Sequence, residues 1–178
     1  FVVGEGVGVI VLKPLRQAVE DHDHIYAVIK GGMVNAGGKT NGYTVPNPIA
    51  QSKLISEALQ RADIGAETVS YIEAHGTGTS LGDPIEIAGL TEAFRQFTQK
   101  RQFCAIGSVK SNIGHLEAAA GIAGVTKIIL QMQNKKLVPS LHCDELNPKI
   151  DFKSSPFAVQ QKLADWKRPI IEGIKTPR

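Results

Sequence analysis

Apolar and polar residues follow two periods along this chain, and the changes of period mark its elements. Residues 1–12 interleave Gly4, Gly6 and Gly8 with Val, Ile and Leu, a strand pattern whose glycines admit the close approach of another backbone. Lys13-Pro14 opens a short helix to about Glu20, and Asp21-His22-Asp23-His24 reads as a solvated turn. Ile25 to Val34 is a second strand pattern, followed by a long Gly-rich polar loop to Pro48, of the kind that carries function when it occurs inside a compact domain. Pro48 suits the first turn of a helix running to about Ala62, with Leu54, Ile55, Ala58 and Leu59 on one face. Val69–Ala74 is a third strand, and Gly76-Thr77-Gly78-Thr79-Ser80-Leu81-Gly82 is a turn. Asp83-Pro84-Ile85-Glu86 then has the form of an N-cap, a proline at the first helical position and a capping-box Glu. That helix continues through Ile87, Leu90, Phe94 and Phe97. Phe103–Gly107 is a fourth strand, and a long helix runs from Gly114 to about Asn134. It is apolar nearly all round, from Ala118 through Leu130, which predicts that protein encloses it on most sides. The remainder is loop-rich, with a short strand at Phe157–Val159 and Trp166 as a surface anchor.

Composition narrows the class without changing this picture. The chain has 178 residues, 42% hydrophobic and 21% charged, which suits one globular domain. Its net charge of +3 comes without any Lys/Arg run, so a nucleic-acid partner is not expected. Cys104 and Cys143 are too few and too far apart for a disulfide framework, which favours a reducing, cytoplasmic setting, and no segment reads as a membrane span. The chain starts inside a strand pattern and stops without a capping element, which leads us to expect a segment of a longer protein, truncated at both ends and with no second domain.

Candidate chemistry sits on two turns built alike: strand, polar turn, and a histidine near the start of a helix. One carries His75 and the other carries Lys110, Ser111, Asn112 and His115. In α/β folds the crevice beyond the carboxyl ends of strands is where ligands bind, so the two turns are expected to face one pocket. A helix N-terminus disfavours imidazolium, and a nearby Lys110 acts in the same direction, so His115 is expected to be a neutral hydrogen-bond donor. Such a donor suits an oxyanion or enolate developing from a thioester carbonyl, with His75 as a second donor to the same oxygen. A lone histidine beside a helix cap is more often structural; two in matching contexts favour chemistry. Neither the pair nor the His22/His24 turn has an evident third ligand, so no metal is expected. Gly4, Gly6 and Gly8 lack the spacing of a dinucleotide loop. Thr77 and Thr79 serve either a ligand or their own turn. Neither cysteine lies on a sharp strand-to-helix turn, so a nucleophile, if the chemistry is covalent, lies elsewhere.

These residues resemble the β-ketoacyl synthases, and most closely the ketosynthase domains of bacterial modular polyketide synthases. The resemblance runs over essentially the whole chain. It is carried by Gly4-Glu5-Gly6-Val7-Gly8 with Leu12-Lys13-Pro14-Leu15, by Asn41-Gly42-Tyr43-Thr44-Val45-Pro46-Asn47-Pro48, by Glu73-Ala74-His75-Gly76-Thr77-Gly78-Thr79 with Gly82-Asp83-Pro84-Ile85-Glu86, and by Lys110-Ser111-Asn112-Ile113-Gly114-His115.

The resemblance implies an α/β, thiolase-like fold of two related halves, of which this is the C-terminal one, a mixed sheet with a buried central helix and covering helices. It implies decarboxylative condensation of a cysteine-bound acyl thioester with malonyl on the phosphopantetheine arm of an acyl carrier protein, with no cofactor bound directly. His75 and His115 match the family's catalytic histidines, Lys110 its active-site lysine, and Thr77 and Thr79 the threonines that contact the pantetheine arm; Asn112 and Glu117 are supporting candidates. The expected partners are the acyl carrier protein, the N-terminal half with its nucleophilic cysteine, and a second copy in a homodimer. Without that cysteine the segment alone is expected to be inactive. The acidic residue that fatty-acid enzymes carry along the His115 helix falls at Gly124, and Glu117 is the candidate to replace it electrostatically. The competing reading is a non-elongating, gatekeeping ketosynthase that only passes acyl chains along. Such domains typically lose the histidine that is present here as His75.

Overall fold

The computed structural model describes residues 1–40, 42 and 45–177; Asn41, Tyr43 and Thr44 of the loop motif lie outside the described residues. Among the described residues the α-helices are α1 (Leu15–Glu20), α2 (Pro48–Ala62), α3 (Gly82–Arg95), α4 (Lys110–Ile113) and α5 (Ala120–Asn134). The strands are β1 (Tyr71–Glu73), β2 (Cys104–Gly107), β3 (Lys136–Leu137), β4 (Phe157–Val159), β5 (Ala164–Asp165), β6 (Ile170–Ile171) and β7 (Ile174–Lys175).

A parallel sheet in the order β1-β2-β4 forms the centre, with α3 crossing over between β1 and β2. Strand alternation sends successive side chains to opposite faces. Ile72, Cys104, Ile106 and Phe157 meet Leu59 of α2 and Ile87, Leu90 and Phe94 of α3 in the main core. Tyr71 and Ala105 face the other way, onto Leu137, Trp166, Ile128 and Met132. The result is a layered α/β arrangement with β3 and β5 paired antiparallel beside it. Trp166 is therefore a core residue: its ring lies 5.8 Å from that of Tyr71, and its Nε1 donates to Ser70 Oγ at 2.9 Å.

Helix α2 has the predicted bounds, and its start is capped by Asn47, whose side chain accepts from the amides of Ile49 and Ala50. Its buried face is Ser52, Ser56, Leu59 and Ala62, with small residues where α3 comes close. A Cβ on Gly89 of α3 would stand 3.1 Å from the Pro48 carbonyl. Helix α3 begins at Gly82 with Leu81 as N-cap, two residues earlier than the Asp83 cap expected, which frees the carboxylates of Asp83 and Glu86 for another use. Phe97 lies beyond its end and is exposed.

Three further expectations are corrected. Residues 1–12 and 25–34 do not form strands; the first contributes a single parallel bridge, Val3 to His115, because among the described residues no other strand lies alongside either segment. The close backbone approach does hold, since a Cβ on Gly4 would stand 2.4 Å from the Ile113 carbonyl and one on Gly8 2.6 Å from Ile122. The helix expected from Gly114 is broken into α4, a 3-10 turn at Glu117–Ala119 and α5. Gly114 at φ +76° and Glu117 at φ +49° both leave the right-handed region that a continuous helix needs. Finally, α5 is not enclosed: it buries Gly124, Lys127 and Gln131 and leaves Val125 and Leu130 open.

Candidate active site

Both histidine turns leave the same edge of the sheet, at the carboxyl ends of adjacent parallel strands. The ladder of β1 and β2 runs one bond past Glu73, where the Ala74 amide donates to the Gly107 carbonyl at 2.8 Å, and the chains then diverge. On the first turn, Glu86 of α3 reaches back and accepts from the amides of His75 at 2.7 Å and Gly76 at 2.9 Å. Asp83 accepts from Gly78 at 3.1 Å, and Thr79 Oγ1 accepts from the Gly82 amide at 3.0 Å. The capping pattern read from sequence thus anchors the turn that presents His75, while its glycines occupy left-handed backbone at Gly76 (φ +48°) and Gly78 (φ +72°).

The second turn is tied down from three directions. Ser108 N donates to Ser140 Oγ at 3.0 Å, Leu141 N donates to Ser111 Oγ at 2.9 Å, and Val109 N donates to Glu73 Oε1. Beyond Gly114, the N-terminal segment grips the backbone of His115: its amide donates to the Val2 carbonyl at 2.8 Å, and its carbonyl accepts from Gly4 N at 2.9 Å. The two turns touch directly, since a Cβ on Gly76 would stand 2.9 Å from Ser108 Cβ.

This packing brings the two imidazoles together, with centroids 5.2 Å apart and planes at 82°, an edge-to-face contact. His115 is 8% exposed, while His75 is open to solvent on one side. The Glu117 amide donates to His115 Nδ1 at 3.0 Å. A ring nitrogen that accepts in this way carries no proton, which leaves the hydrogen on Nε2, free for a ligand. Partial burial holds the His75 imidazole below its ordinary value of 6.5, and the positive charge of Lys110 acts in the same direction, against the opposing carboxylate of Glu86. A neutral donor pair beside an ammonium is suited to stabilising a developing oxyanion.

Of the other expected residues, Thr77 and Thr79 place their Oγ1 atoms 3.5 Å apart on the first turn. Asn112 is exposed on α4, where its side-chain oxygen accepts from Ser111 Oγ at 3.3 Å. Glu117 contributes its backbone amide to His115, and its side chain is exposed. At Gly124 the space is occupied instead by Glu73, whose Cγ would be 3.1 Å from an added Cβ. Sequence reading missed Glu73 and its partner Lys127, side chains 9% and 7% exposed that form an ion pair at 2.9 Å. The available signal was a lone lysine among Val125, Ile128 and Ile129 in an apolar helix.

Cys104 is fully buried, and burial pushes its thiol up to about 12. Partial burial and the neighbouring Asp144 also raise Cys143, whose Sγ donates to the Ser140 carbonyl at 3.0 Å. Neither is an activated thiolate. Among the described residues no group of three or more His, Cys, Asp or Glu is placed to hold a metal ion, and no helix is long and apolar enough to cross a membrane.

Comparison with known proteins identifies the family to which the chain and its fold belong. A sequence profile described as "Beta-ketoacyl synthase, C-terminal domain" matches residues 26–144. Polyketide synthase PksM of Bacillus subtilis is 66% identical over 178 residues, all of this chain but 4% of the relative, and polyketide synthase ThaG of Burkholderia thailandensis is 60% identical over 95% of this chain and 3% of its own. The ketosynthase from module 6 of the bacillaene synthase of B. subtilis superposes with a TM-score of 0.85 at 48% identity, covering 87% of this chain and 28% of that one. The oxazolomycin ketosynthase domain OzmH KS7 of Streptomyces albus gives 0.90 at 48%, covering 93% and 29%. The chain thus spans a small part of these relatives, and by its sequence and its thiolase-like fold it belongs to the β-ketoacyl synthase family, as a C-terminal segment of a polyketide synthase ketosynthase.

Proposed function

We propose that this segment supplies the decarboxylating and enolate-stabilising half of an elongating ketosynthase. The observation that carries the reading is the His75–His115 contact, with Nδ1 of His115 occupied by the Glu117 amide and its Nε2–H left to donate. An acyl chain is held as a thioester on a cysteine outside residues 1–178. Malonyl enters on the phosphopantetheine arm of an acyl carrier protein, with Thr77 and Thr79 along the arm. The bond between the malonyl methylene carbon and its carboxylate breaks, carbon dioxide leaves, and the electron pair enters the thioester as an enolate. His75 and His115 donate to the enolate oxygen as its charge develops. The enolate carbon then attacks the acyl thioester, and the cysteine sulfur leaves as thiolate, poised for another acyl chain. Partial burial, seconded by the charge of Lys110, holds His75 neutral, and therefore able to donate without taking a proton, where an unperturbed histidine would begin to charge.

The partners of this reading are the acyl carrier protein, the N-terminal half of the ketosynthase and a second copy of the domain. The exposed apolar residues of 1–12 and of α5 support a protein partner over those surfaces. In an intact ketosynthase carrying this segment, His75→Ala is expected to abolish elongation while leaving acylation of the nucleophilic cysteine near its normal rate. Chain transfer measured by mass spectrometry of the carrier-bound products checks both. Normal elongation in His75→Ala overturns the assignment, and a parent that acylates its cysteine but never elongates malonyl is a gatekeeping domain instead.

A further inference from the structure

Behind the two turns, between the sheet and α5, lies a charged group that the reaction above does not use. Glu73 and Lys127 are both nearly inaccessible to solvent and pair at 2.9 Å. Tyr71 Oη accepts from Lys127 Nζ at 2.8 Å and donates to Glu73 Oε2 at 2.8 Å, closing a three-membered ring of contacts. The remaining carboxylate oxygen, Oε1, accepts from the backbone amide of Val109, the residue before Lys110. Room for the group is made by glycine: a Cβ on Gly107 would stand 2.9 Å from Tyr71 Oη, and one on Gly124 3.1 Å from Glu73 Cγ.

Stability alone is a poor reason for such a group. Replacing a buried ion pair by apolar residues of the same volume is often neutral or stabilising, because desolvation offsets the Coulomb gain. What an apolar pair does not offer is an acceptor for the Val109 amide. Glu73 ends β1 two residues before His75, and Val109 adjoins Lys110, so one carboxylate links the strand that delivers the first histidine to the turn that delivers the lysine. Burial and the Glu73 charge raise the Tyr71 hydroxyl far above its ordinary range, so the ring of contacts stays protonated on oxygen at any working pH.

We infer that Glu73 is a positioning residue for condensation: steadied by Lys127 and Tyr71, its carboxylate fixes the Val109 amide and so sets the Lys110–His115 turn against His75. This rests on the function proposed above. A misplacement of about 1 Å costs on the order of a hundredfold in rate when groups must meet a transition state.

The test uses an intact ketosynthase carrying this segment, with cysteine acylation and malonyl elongation measured separately. Glu73→Gln with Lys127→Met removes both charges and keeps an oxygen facing Val109; it is expected to elongate within about threefold of the parent. Glu73→Ala with Lys127→Met removes the acceptor as well, and kcat for elongation is expected to fall roughly 10- to 100-fold, with acylation and the KM for malonyl carrier unchanged. Val109→Pro removes the donor from the other side of the same bond at a φ of −66°, which proline adopts readily, and leaves the ion pair whole. It is expected to reproduce the kcat loss, and it keeps the inference open to refutation if the alanine variant does not fold. Parental elongation by the alanine variant or by Val109→Pro, with His75→Ala inactive, overturns the positioning role. Equal losses in the glutamine and alanine variants also overturn it, in favour of a role for the charge alone. Normal elongation in His75→Ala would instead remove the function on which the inference rests.

Discussion

The sheet region and the first 34 residues are built from the same residue types and end in opposite states. Cys104 and Phe157 are fully buried in a three-stranded parallel ladder, whereas Val7 and Val11 of an equally alternating pattern are 92% and 94% exposed. Alternation provides a strand with a face but not with a neighbour. The backbone hydrogen bonds of β1, β2 and β4 are made within the chain. Among the described residues, those of residues 1–12 are confined to the clasp on His115. The difference teaches that the N-terminal segment acts on the site through backbone contact with one histidine, while its apolar side chains remain available to something else.

The sharpest way to break this contrast is to shorten a side chain in each region. Phe94→Ala, in the main core, is expected to cost about 3–5 kcal/mol in urea unfolding. Val9→Ala is expected to change residues 1–178 by less than about 0.5 kcal/mol, but an intact ketosynthase by about 1–2 kcal/mol if a partner covers that side chain. An equally small effect in both contexts would end the idea that the segment is covered by protein. Next in size is Gly107→Ala, whose Cβ would stand 2.7 Å from Ser140 Oγ and 2.9 Å from Tyr71 Oη. We expect a loss of about 1–3 kcal/mol, read from the same unfolding curves, because the neighbours are already anchored. Unchanged stability would mean that the space behind the second turn yields.

The smallest effect is on pH dependence. Because the folded pKa of His75 is depressed, the neutral imidazole persists below its ordinary value of 6.5. Elongation is therefore expected to hold as pH falls through that value, with the acid limb of kcat/KM below it. The stability gained from a neutral His75 has the same sign, being present above the unfolded-state pKa and lost as pH falls through the folded-state one. Lys110→Met removes one cause of the depression, so the acid limb is expected to move up in pH. A limb that stays in place would separate Lys110 from His75 electrostatically.

Helix α2 and the two histidine turns were legible because their signals are local. Pro48 specifies a helix start, and glycines beside His75 and His115 specify turns, whatever packs around them. The break between α4 and α5 was harder to see: it depends on Glu117 accepting a left-handed conformation that the sequence Ala118-Ala119-Ala120 after it does not advertise. Least legible was the Tyr71–Glu73–Lys127 group. A lysine in a helix reads as surface, and only the meeting of α5 with the sheet, which brings Lys127 onto Tyr71, 56 residues before it, turns it inward. The missing strands at 1–12 and 25–34 failed for the complementary reason, since a strand pattern says nothing about which chain will pair with it.

The contact between Gly76 and Ser108 has a consequence for anyone recombining such domains. The two residues sit on different turns, 32 positions apart, yet a methyl group at one would already collide with the side chain of the other. A crossover placed between them can inherit each half intact and still mismatch the seam, for instance by joining an alanine-bearing first turn to a serine-bearing second. Hybrid ketosynthases built from this chain should therefore exchange residues 76 to 108 as one block, with the junctions outside it.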